Sequence, residues 1–216
     1  MKNNKIKYNN LNQVFDSIPS SIRYVVLRNY TTILNNTFDD SSDIDILTDN
    51  AYNFASIINA KKCHFSNFRS RYSIMVNNNR IFLDIREASD NYYYINWQNN
   101  ILDSRIKEKF LFIPNRENYY YSLLYHMLIH KKQISDNYVE ILCNAEGYSW
   151  SKDYARSDWI DILEKYLSSN AFFVVVPNDY SVIFNHNDMK YMKQSFYNRT
   201  IRFFWVLCTG IKNRYV

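Results

Sequence analysis

The spacing of hydrophobic and polar residues in the first half of the chain indicates both helices and strands. Apolar residues recur three and four positions apart in two segments, as on one face of a helix, and alternate or run together in four others, as in strands. The predicted elements are helices over 11–18 and 51–61 and strands over 24–27, 43–47, 72–76 and 80–86. The last two strands flank Asn77-Asn78-Asn79, and because asparagine tolerates a positive φ, we predict a hairpin there.

The second half of the chain has mainly helical spacing. The predicted helices cover 94–109, 116–132, 135–146, 157–167 and the segment from 188 onward. A second hairpin is predicted over 172–176 and 180–184, on either side of Pro177-Asn178-Asp179. This order predicts an α+β fold in which a small mixed β-sheet with flanking helices is followed by a mostly helical half.

The composition is that of a folded protein of modest size. The chain has 216 residues, of which 47% are apolar and 22% are charged, so the bulk of it is not disordered. This length suffices for one compact domain, or for one domain with a small appendage. We expect an α/β domain over 1–112, a helical domain with a terminal hairpin over 113–185, and a basic, aromatic helical tail over 186–216.

Cysteine usage and hydropathy favour a cytoplasmic protein. Cys63, Cys143 and Cys208 are widely spaced and lack the spacing of a zinc site, so we expect reduced thiols. The first residues lack the apolar segment of a secretory signal. No run approaches the roughly 18 consecutive apolar residues that a membrane-spanning helix requires.

The positive charge is concentrated in the tail. The chain carries a net charge of +5, and residues 186–216 hold six basic residues against Asp188 alone. The rest of the chain is therefore neutral, which argues against nucleic acid as a partner, since nucleic-acid binders spread basic residues over the binding face. Three interpretations of the tail stay open: docking against the body or a second copy, peripheral attachment to the inner face of a membrane through a basic amphipathic helix, and RNA binding.

Three aspartates in predicted strands carry the main chemical signal. Asp43 and Asp45 are two residues apart in an alternating strand, so both side chains project from one face. Two carboxylates at that spacing repel each other, and a divalent cation such as Mg²⁺ or Mn²⁺ removes the conflict. Asp84 lies in a later apolar strand. If the two strands are neighbours, Asp84 completes a cluster that can hold metal for phosphoryl or nucleotidyl transfer.

This arrangement resembles the DNA polymerase β-type nucleotidyltransferase superfamily. The superfamily pattern is a hydrophobic strand, Gly-Gly or Gly-Ser, a short helix, Asp-hydrophobic-Asp, and a third Asp on a later strand. The matching positions are Ser42, Asp43, Asp45 and Asp84. Arg28-Asn29 stands where the superfamily has its glycine element.

A narrower resemblance covers residues 20–185. The chain looks like an uncharacterised nucleotidyltransferase-like group that often occurs with bacterial or viral surface-glycan genes. The segments that carry this likeness are 24–30, 42–47, 82–86, Trp97 with Ile101-Leu102, and 124–131. The likeness implies that 1–112 is a nucleotidyltransferase-like domain.

The resemblance implies a metal-dependent enzyme that moves an NMP group from an NTP to a small acceptor. Catalysis and binding of Mg²⁺ or Mn²⁺ would fall to Asp43, Asp45 and Asp84. Nucleotide contacts would come from Arg28, Asn29, Ser41, Ser42 and Lys131, and substrate contacts from Arg86 and His126. The implied acceptor is a sugar or sugar-phosphate in surface polysaccharide biosynthesis. The alternative is a non-catalytic or regulatory protein, either an adaptor or an antitoxin-like protein that modifies a protein partner.

Structural roles compete with these functional ones for the acidic residues. Asp43 and Asp45 are also compatible with a half-exposed edge strand whose carboxylates are solvated. Asp84 is also compatible with a buried salt bridge to Arg86 or Arg80. The residues that lie next to these strands in the fold decide between the structural and the functional role of each aspartate.

Structural roles also compete in the helical half. His126 and His130 are four apart, a spacing that can bind zinc, but no third ligand is evident in the sequence. A role in the core or an interface therefore competes with substrate contact. Lys131 ends a predicted helix, where the helix dipole favours a cation without any ligand.

Overall fold

The computed structural model describes residues 8–35, 37–38, 43–63, 71–179, 181–186 and 188–193. Within these residues the chain has a mixed α/β fold with seven helices and a five-stranded mixed sheet. The chain forms two compact units. The first contains the described residues up to Ser89 together with Ile95–Tyr119, and the second contains Asp90–Tyr94 and the described residues from Tyr120 onward. None of the described helices is long and apolar enough to span a membrane.

The first unit is built around the five-stranded sheet. Its helices are α1 (Leu11–Asp16), α2 (Tyr30–Leu34), α3 (Ala51–Ile57) and α4 (Ile95–Asp103), and its strands are β1 (Tyr24–Val26), β2 (Asp43–Thr48), β3 (Lys61–Lys62), β4 (Arg71–Val76), β5 (Asn79–Glu87), β6 (Ile106–Glu108) and β7 (Leu111–Ile113). The strand order is β1-β2-β5-β4-β3. Strands β2 and β5 run parallel, and the other neighbours are antiparallel.

One face of this sheet forms the hydrophobic core of the first unit. Ile44 and Ile46 of β2 are buried, and Leu83 and Ile85 of β5 lie opposite them in register. Phe54 of α3 packs into the same cluster. Burial of one such side chain contributes about 1.5–3 kcal/mol. The alternation of these strands therefore decides which face points inward. On the opposite face, α4 packs against β1 and β2.

Most of the predicted elements of the first unit are confirmed. Helices α1 and α3 and strands β1, β2, β4 and β5 lie at the predicted positions. Helix α3 ends at Ile57, earlier than predicted, because Asn59 adopts a φ of 52° and breaks the helical path. The spacing did not predict α2, although the family resemblance implied a short helix at that point.

The hairpin between β4 and β5 is confirmed, with a tighter turn than the sequence suggested. Asn77 and Asn78 have φ angles of 48° and 65°, and Val76 pairs directly with Asn79. Two successive positive φ angles are typical of a type I′ turn, whose twist matches that of the flanking strands. The turn therefore uses two asparagines, and Asn79 belongs to β5.

The second unit is mostly helical. Its elements are α5 (Arg116–Ile129), whose first residues belong to the first unit, α6 (Asp136–Cys143), α7 (Arg156–Ser169), β8 (Val174–Val175) and β9 (Met192–Lys193). The three helices confirm the predictions for this region. On α7, Trp159, Leu163 and Leu167 recur at helical spacing and are all buried.

Three predictions about local structure are wrong. The helix predicted over 94–109 ends at Asp103, because Ile106–Glu108 pairs with Leu111–Ile113 in a hairpin. No strand occurs among the described residues of 180–184. Instead, β8 pairs in parallel with β9, where a helix was predicted. Because β8 and β9 are not adjacent in the sequence, the spacing of hydrophobic residues within either segment does not indicate that they pair. The rest of the predicted tail, 194–216, lies outside the described residues.

The segment that contains β9 is tied to α7 by charged groups. The carboxylate of Glu164, which is buried, accepts a hydrogen bond from the backbone N–H of Lys190 and lies 3.7 Å from the Lys190 ammonium. Two residues earlier, Asp188 accepts a hydrogen bond from Arg156 at 3.3 Å. Residues 188–193 are therefore part of the second unit, whereas the sequence analysis assigned them to a separate tail.

We predict that the I′ turn depends on residues that accept a positive φ. Replacing Asn78 by Val should lower the free energy of unfolding by about 1–2 kcal/mol, because a β-branched side chain clashes with its own backbone in this conformation. Asn78→Gly is the matched control and should change stability little. Urea unfolding measures both variants. Equal stability of the Val and Gly variants would contradict the I′ turn.

We also predict that the position of a C-terminal truncation decides its effect on stability. Removal of all residues after Asn185 deletes Lys190 and leaves the buried Glu164 carboxylate without its partner. The free energy of unfolding of this truncated chain should be about 1–3 kcal/mol lower than that of a chain truncated after Lys193. Urea unfolding of the two truncated chains tests this, and coincident unfolding curves would show that 188–193 do not stabilise the second unit.

Candidate functional site

The three predicted aspartates lie on one face of the sheet in the first unit. Asp45 pairs in register with Asp84 across the parallel strands β2 and β5, and Asp43 pairs with Phe82. Registered partners on neighbouring strands are about 4.8 Å apart and point to the same side. The side chains of Asp43, Asp45 and Asp84 therefore project together, on the face opposite the isoleucine core.

These carboxylates are accessible to solvent although their strands are buried. The side chains of Asp43, Asp45 and Asp84 are 36%, 21% and 28% exposed. The intervening Ile44 is only 1% exposed. The hydrophobic residues thus fix the strands while the acids face outward, which excludes a wholly buried role for the acids.

Arg28 holds Asp45 in a two-pronged ion pair. Its Nη2 lies 2.8 Å from Oδ1 of Asp45, and its Nε donates a hydrogen bond to Oδ2 at 3.2 Å. Arg28 is the second residue after β1, and the intervening Leu27 N–H donates a hydrogen bond to the Asp45 carbonyl at 2.9 Å. The Arg28 side chain is only 3% exposed. Such a buried, bidentate guanidinium depends strongly on its carboxylate partner.

The other two aspartates also have arginine partners. Arg71 Nη2 donates a hydrogen bond to Asp43 Oδ1 at 3.1 Å, and its guanidinium lies over the ring of Phe82, 4.3 Å from the centroid. Arg86 Nη2 lies 3.5 Å from Asp84 Oδ2. The salt bridge to Arg86 that the sequence left open for Asp84 is therefore present. These six side chains, Arg28, Arg71, Arg86, Asp43, Asp45 and Asp84, are called the Asp–Arg cluster below.

The Asp–Arg cluster is balanced in charge. It contains three carboxylates and three guanidinium groups, arranged in three ion pairs. In the part of the chain that the structure describes, no group of three or more His, Cys, Asp and Glu side chains is arranged to hold a metal ion. Three carboxylates, whose oxygens are the kind of ligand that suits Mg²⁺ or Mn²⁺, thus lie on one face, but each carboxylate is paired with an arginine.

Sequence reasoning missed Arg71, and the length of the turn explains why. In the observed hairpin Arg71 pairs in register with Asp84, which puts both side chains on one face. A turn of three asparagines would move the register by one residue and place Arg71 on the other face. A two-residue I′ turn would have placed Arg71 opposite Asp84. Its contact with Asp43 also depends on the pairing of β2 with β5.

Asn29 forms the turn between β1 and α2. Its φ is 56°, in the left-handed region, and it is the residue immediately before α2. Its carbonyl accepts hydrogen bonds from the N–H and the hydroxyl of Thr32. Asparagine occupies this region more readily than other side chains that carry a Cβ, so the sharp turn between β1 and α2 forms without glycine. The predicted nucleotide-binding residues Ser41 and Ser42 lie outside the described residues.

Two predicted site residues, His126 and Lys131, belong to the second unit. The Nδ1 atom of His126 is 2.9 Å from the hydroxyl of Tyr92, and both side chains are buried. His130 lies one helical turn later and is also buried, with its ring centroid 4.2 Å from that of Tyr92. These contacts show the two histidines in the aromatic core of their unit. Lys131 follows α5 and is exposed.

A separate cleft of about 710 Å³ opens on the other side of the sheet. It lies between α3 and strands β3, β4 and β5, with Tyr72 and Ile85 among its lining residues and Lys62 and Glu87 as its charged groups. Burial, with a further contribution from the charge of Glu87, raises the pKa of Tyr72. Tyr72 pairs in register with Leu83, so this cleft lies on the core side of the sheet and not at the Asp–Arg cluster.

We predict that the three aspartates contribute unequally to stability. Asp45→Asn should cost the most, about 3–5 kcal/mol, because it removes the charge of the bidentate partner of the buried Arg28 guanidinium. Asp43→Asn should cost less than about 1 kcal/mol, since both partners of that pair are more than a third exposed. Asp84→Asn should fall between them. Thermal and urea unfolding of the three variants gives the order, and an Asp43 variant as unstable as the Asp45 variant would contradict these ion pairs.

No family model matches the chain, and neither a curated protein nor a solved structure matches it.

Proposed function

We propose that this protein is a metal-dependent nucleotidyltransferase that moves an NMP group from an NTP to the hydroxyl of a small acceptor. The observation that carries the proposal is the register of β2 and β5, which sets Asp45 beside Asp84 on one accessible face, with Asp43 two residues away. The order of β1, a left-handed turn residue, α2 and then β2 follows the superfamily pattern and supports the proposal.

The acidic residues have the chemistry that a divalent cation requires. Carboxylate oxygens are the preferred ligands of Mg²⁺ and Mn²⁺, and Asp43, Asp45 and Asp84 would hold the ion. When bound, such an ion stabilises negative charge on the phosphate oxygens and on the departing pyrophosphate. The arginines of the cluster then lie beside the phosphates, where planar guanidinium groups form charge-assisted hydrogen bonds.

The proposed reaction is an in-line displacement at the α-phosphorus. The oxygen of the acceptor hydroxyl attacks the α-phosphorus and forms a new P–O bond. The bond between the α-phosphorus and its bridging oxygen breaks, and pyrophosphate leaves with the electron pair. The hydroxyl proton passes to the carboxylate of Asp84 and from there to solvent. Asp84 therefore acts as general base, a role worth roughly 10²–10⁴-fold in rate.

The remaining assignments follow the resemblance. Contacts to the nucleotide are proposed for Arg28, Asn29, Ser41 and Ser42, and contact to the acceptor for Arg86. A sugar or sugar-phosphate of surface polysaccharide biosynthesis is proposed as the acceptor on the family analogy alone. Arg28 immediately precedes Asn29 at the start of α2, and its guanidinium is held by Asp45.

A second candidate function is a non-catalytic protein that binds a partner through the same face. The observation that favours it is the engagement of every acid in the cluster by an arginine. In such a protein the ion pairs are permanent structural features, and the protein acts as an adaptor or regulator. In the enzyme the aspartates must exchange their arginine partners for a metal ion, whereas in the non-catalytic protein they stay paired with the arginines.

The release of pyrophosphate tests the enzyme. We expect the native protein, supplied with Mg²⁺, each NTP in turn and a panel of sugars and sugar-phosphates, to release pyrophosphate with at least one combination. Asp84→Asn should reduce the rate roughly 10²–10⁴-fold. Asp49→Asn is the matched control, because Asp49 also pairs with an arginine, Arg23, but lies outside the cluster. Binding of an NTP without any pyrophosphate release would favour the non-catalytic candidate.

A further inference from the structure

We propose that the cleft between α3 and strands β3, β4 and β5 binds a planar aromatic molecule that carries one anionic group, such as a carboxylate or a phosphate. The cleft volume of about 710 Å³ lies in the range of roughly 300–1,000 Å³ that is usual for small-molecule sites. All of its lining residues belong to the first unit. The cleft lies on the side of the sheet opposite the Asp–Arg cluster, so this proposal is independent of nucleotidyl transfer.

Aromatic and aliphatic side chains form much of the cleft surface. Tyr72 and Ile85 project from the core side of the sheet, because Tyr72 pairs in register with Leu83 and Ile85 lies two residues beyond Leu83 on β5. Ala55 lines the cleft from α3, and its short side chain leaves space that a larger one would fill. A flat aromatic body in this space would bury apolar surface of its own and of the cleft, which favours binding.

Tyr52 adds an exposed aromatic ring to the same cleft. It lies on α3 among the lining residues and is 78% exposed. Tyrosine combines an apolar ring with a polar hydroxyl, so it is enriched at interfaces that are partly apolar and partly wet. An aromatic ligand that packs against Tyr52 would cover a ring that otherwise faces water. This ring therefore favours an aromatic ligand over an aliphatic one.

The charged lining residues favour an anionic group on the ligand. Lys62 pairs in register with Tyr72, so its side chain lies on the cleft side of β3. It is exposed, and within the described part of the chain it forms no ion pair. The carboxylate of Glu87, by contrast, already accepts a hydrogen bond from the N–H of Ala51 at 3.0 Å. Lys62 therefore offers the positive charge of the cleft, and an anionic group is the feature that matches it.

The separation of the two charges determines the orientation of the ligand. Lys62 pairs with Tyr72, Tyr72 pairs with Leu83, and Glu87 lies four residues beyond Leu83 on β5. The backbones of Lys62 and Glu87 are therefore about 10 Å apart across the sheet and about 13 Å apart along it. An anionic group is attracted at the Lys62 end and repelled at the Glu87 end. The aromatic body then lies between the two ends, over Tyr72 and Ile85.

Two matched fluorescent probes test the site in the full chain. Anilinonaphthalene sulfonate is aromatic and carries one anionic group, whereas phenylnaphthylamine has the same aromatic framework without the sulfonate. The fluorescence of both probes rises in an apolar site, and titrations give the Kd of each.

Two variants separate the charge of the cleft from its aromatic surface. Lys62→Gln removes the charge, and its control is Lys61→Gln, because Lys61 is the exposed neighbour on β3 and does not line the cleft. Tyr52→Ala removes the ring, and its control is Asn53→Ala, because Asn53 is the exposed neighbour on α3 and does not line the cleft. All four side chains are exposed, so thermal unfolding should coincide with that of the native protein.

We expect Lys62→Gln to weaken binding of the anionic probe roughly 2–5-fold and to leave the neutral probe unchanged. Tyr52→Ala should weaken binding of both probes roughly 2–10-fold. Both controls should bind like the native protein. An anionic probe that binds Lys62→Gln as tightly as the native protein would overturn the assignment of the anion. Unchanged binding of both probes to Tyr52→Ala, or no binding to the native protein, would overturn the site. None of these results bears on pyrophosphate release, so the two proposals fail separately.

Discussion

The parallel pairing of β2 with β5 is the constraint on which the first unit depends. Ile44 and Ile46 face Leu83 and Ile85 in the core, and this packing excludes a shift of one residue between the two strands. Because side chains alternate along a strand, the same register sets the acids beside one another on the opposite face. A shift by one residue would bury the carboxylates and expose the isoleucines, so the chemistry of one face is set by the packing of the other.

Local spacing was sufficient wherever an element is stabilised by near neighbours. The strand of Asp43 and Asp45, the β4–β5 hairpin and the helices of the second unit could all be predicted from periodicity and turn residues. Long-range pairing could not, as the parallel pair of β8 with β9 shows. The same distinction applies to the candidate site. The shared face of the acids follows from the alternation of side chains along the strands, whereas their pairing with Arg28 and Arg71 depends on how the strands are arranged in space.

The three arginines change the kind of site that the three aspartates can form. Three carboxylates without counter-charges would form a cation site ready to be filled, whereas three carboxylates with three guanidinium groups form a surface without net charge. Such a surface exerts little long-range attraction on either a cation or an anion. The pair of Asp43 and Arg71 is the most exposed of the three.

The use of asparagine where other proteins place glycine has a consequence for the unfolded chain. Asn29, Asn59, Asn77, Asn78 and Asn91 all have a positive φ, and the sequence contains only 2 glycines. Glycine loses more conformational freedom on folding than any other residue. A chain that makes its tight turns with asparagine begins from a narrower unfolded ensemble, so it gives up less entropy at each turn as it folds. The turns are therefore specified in part before folding begins.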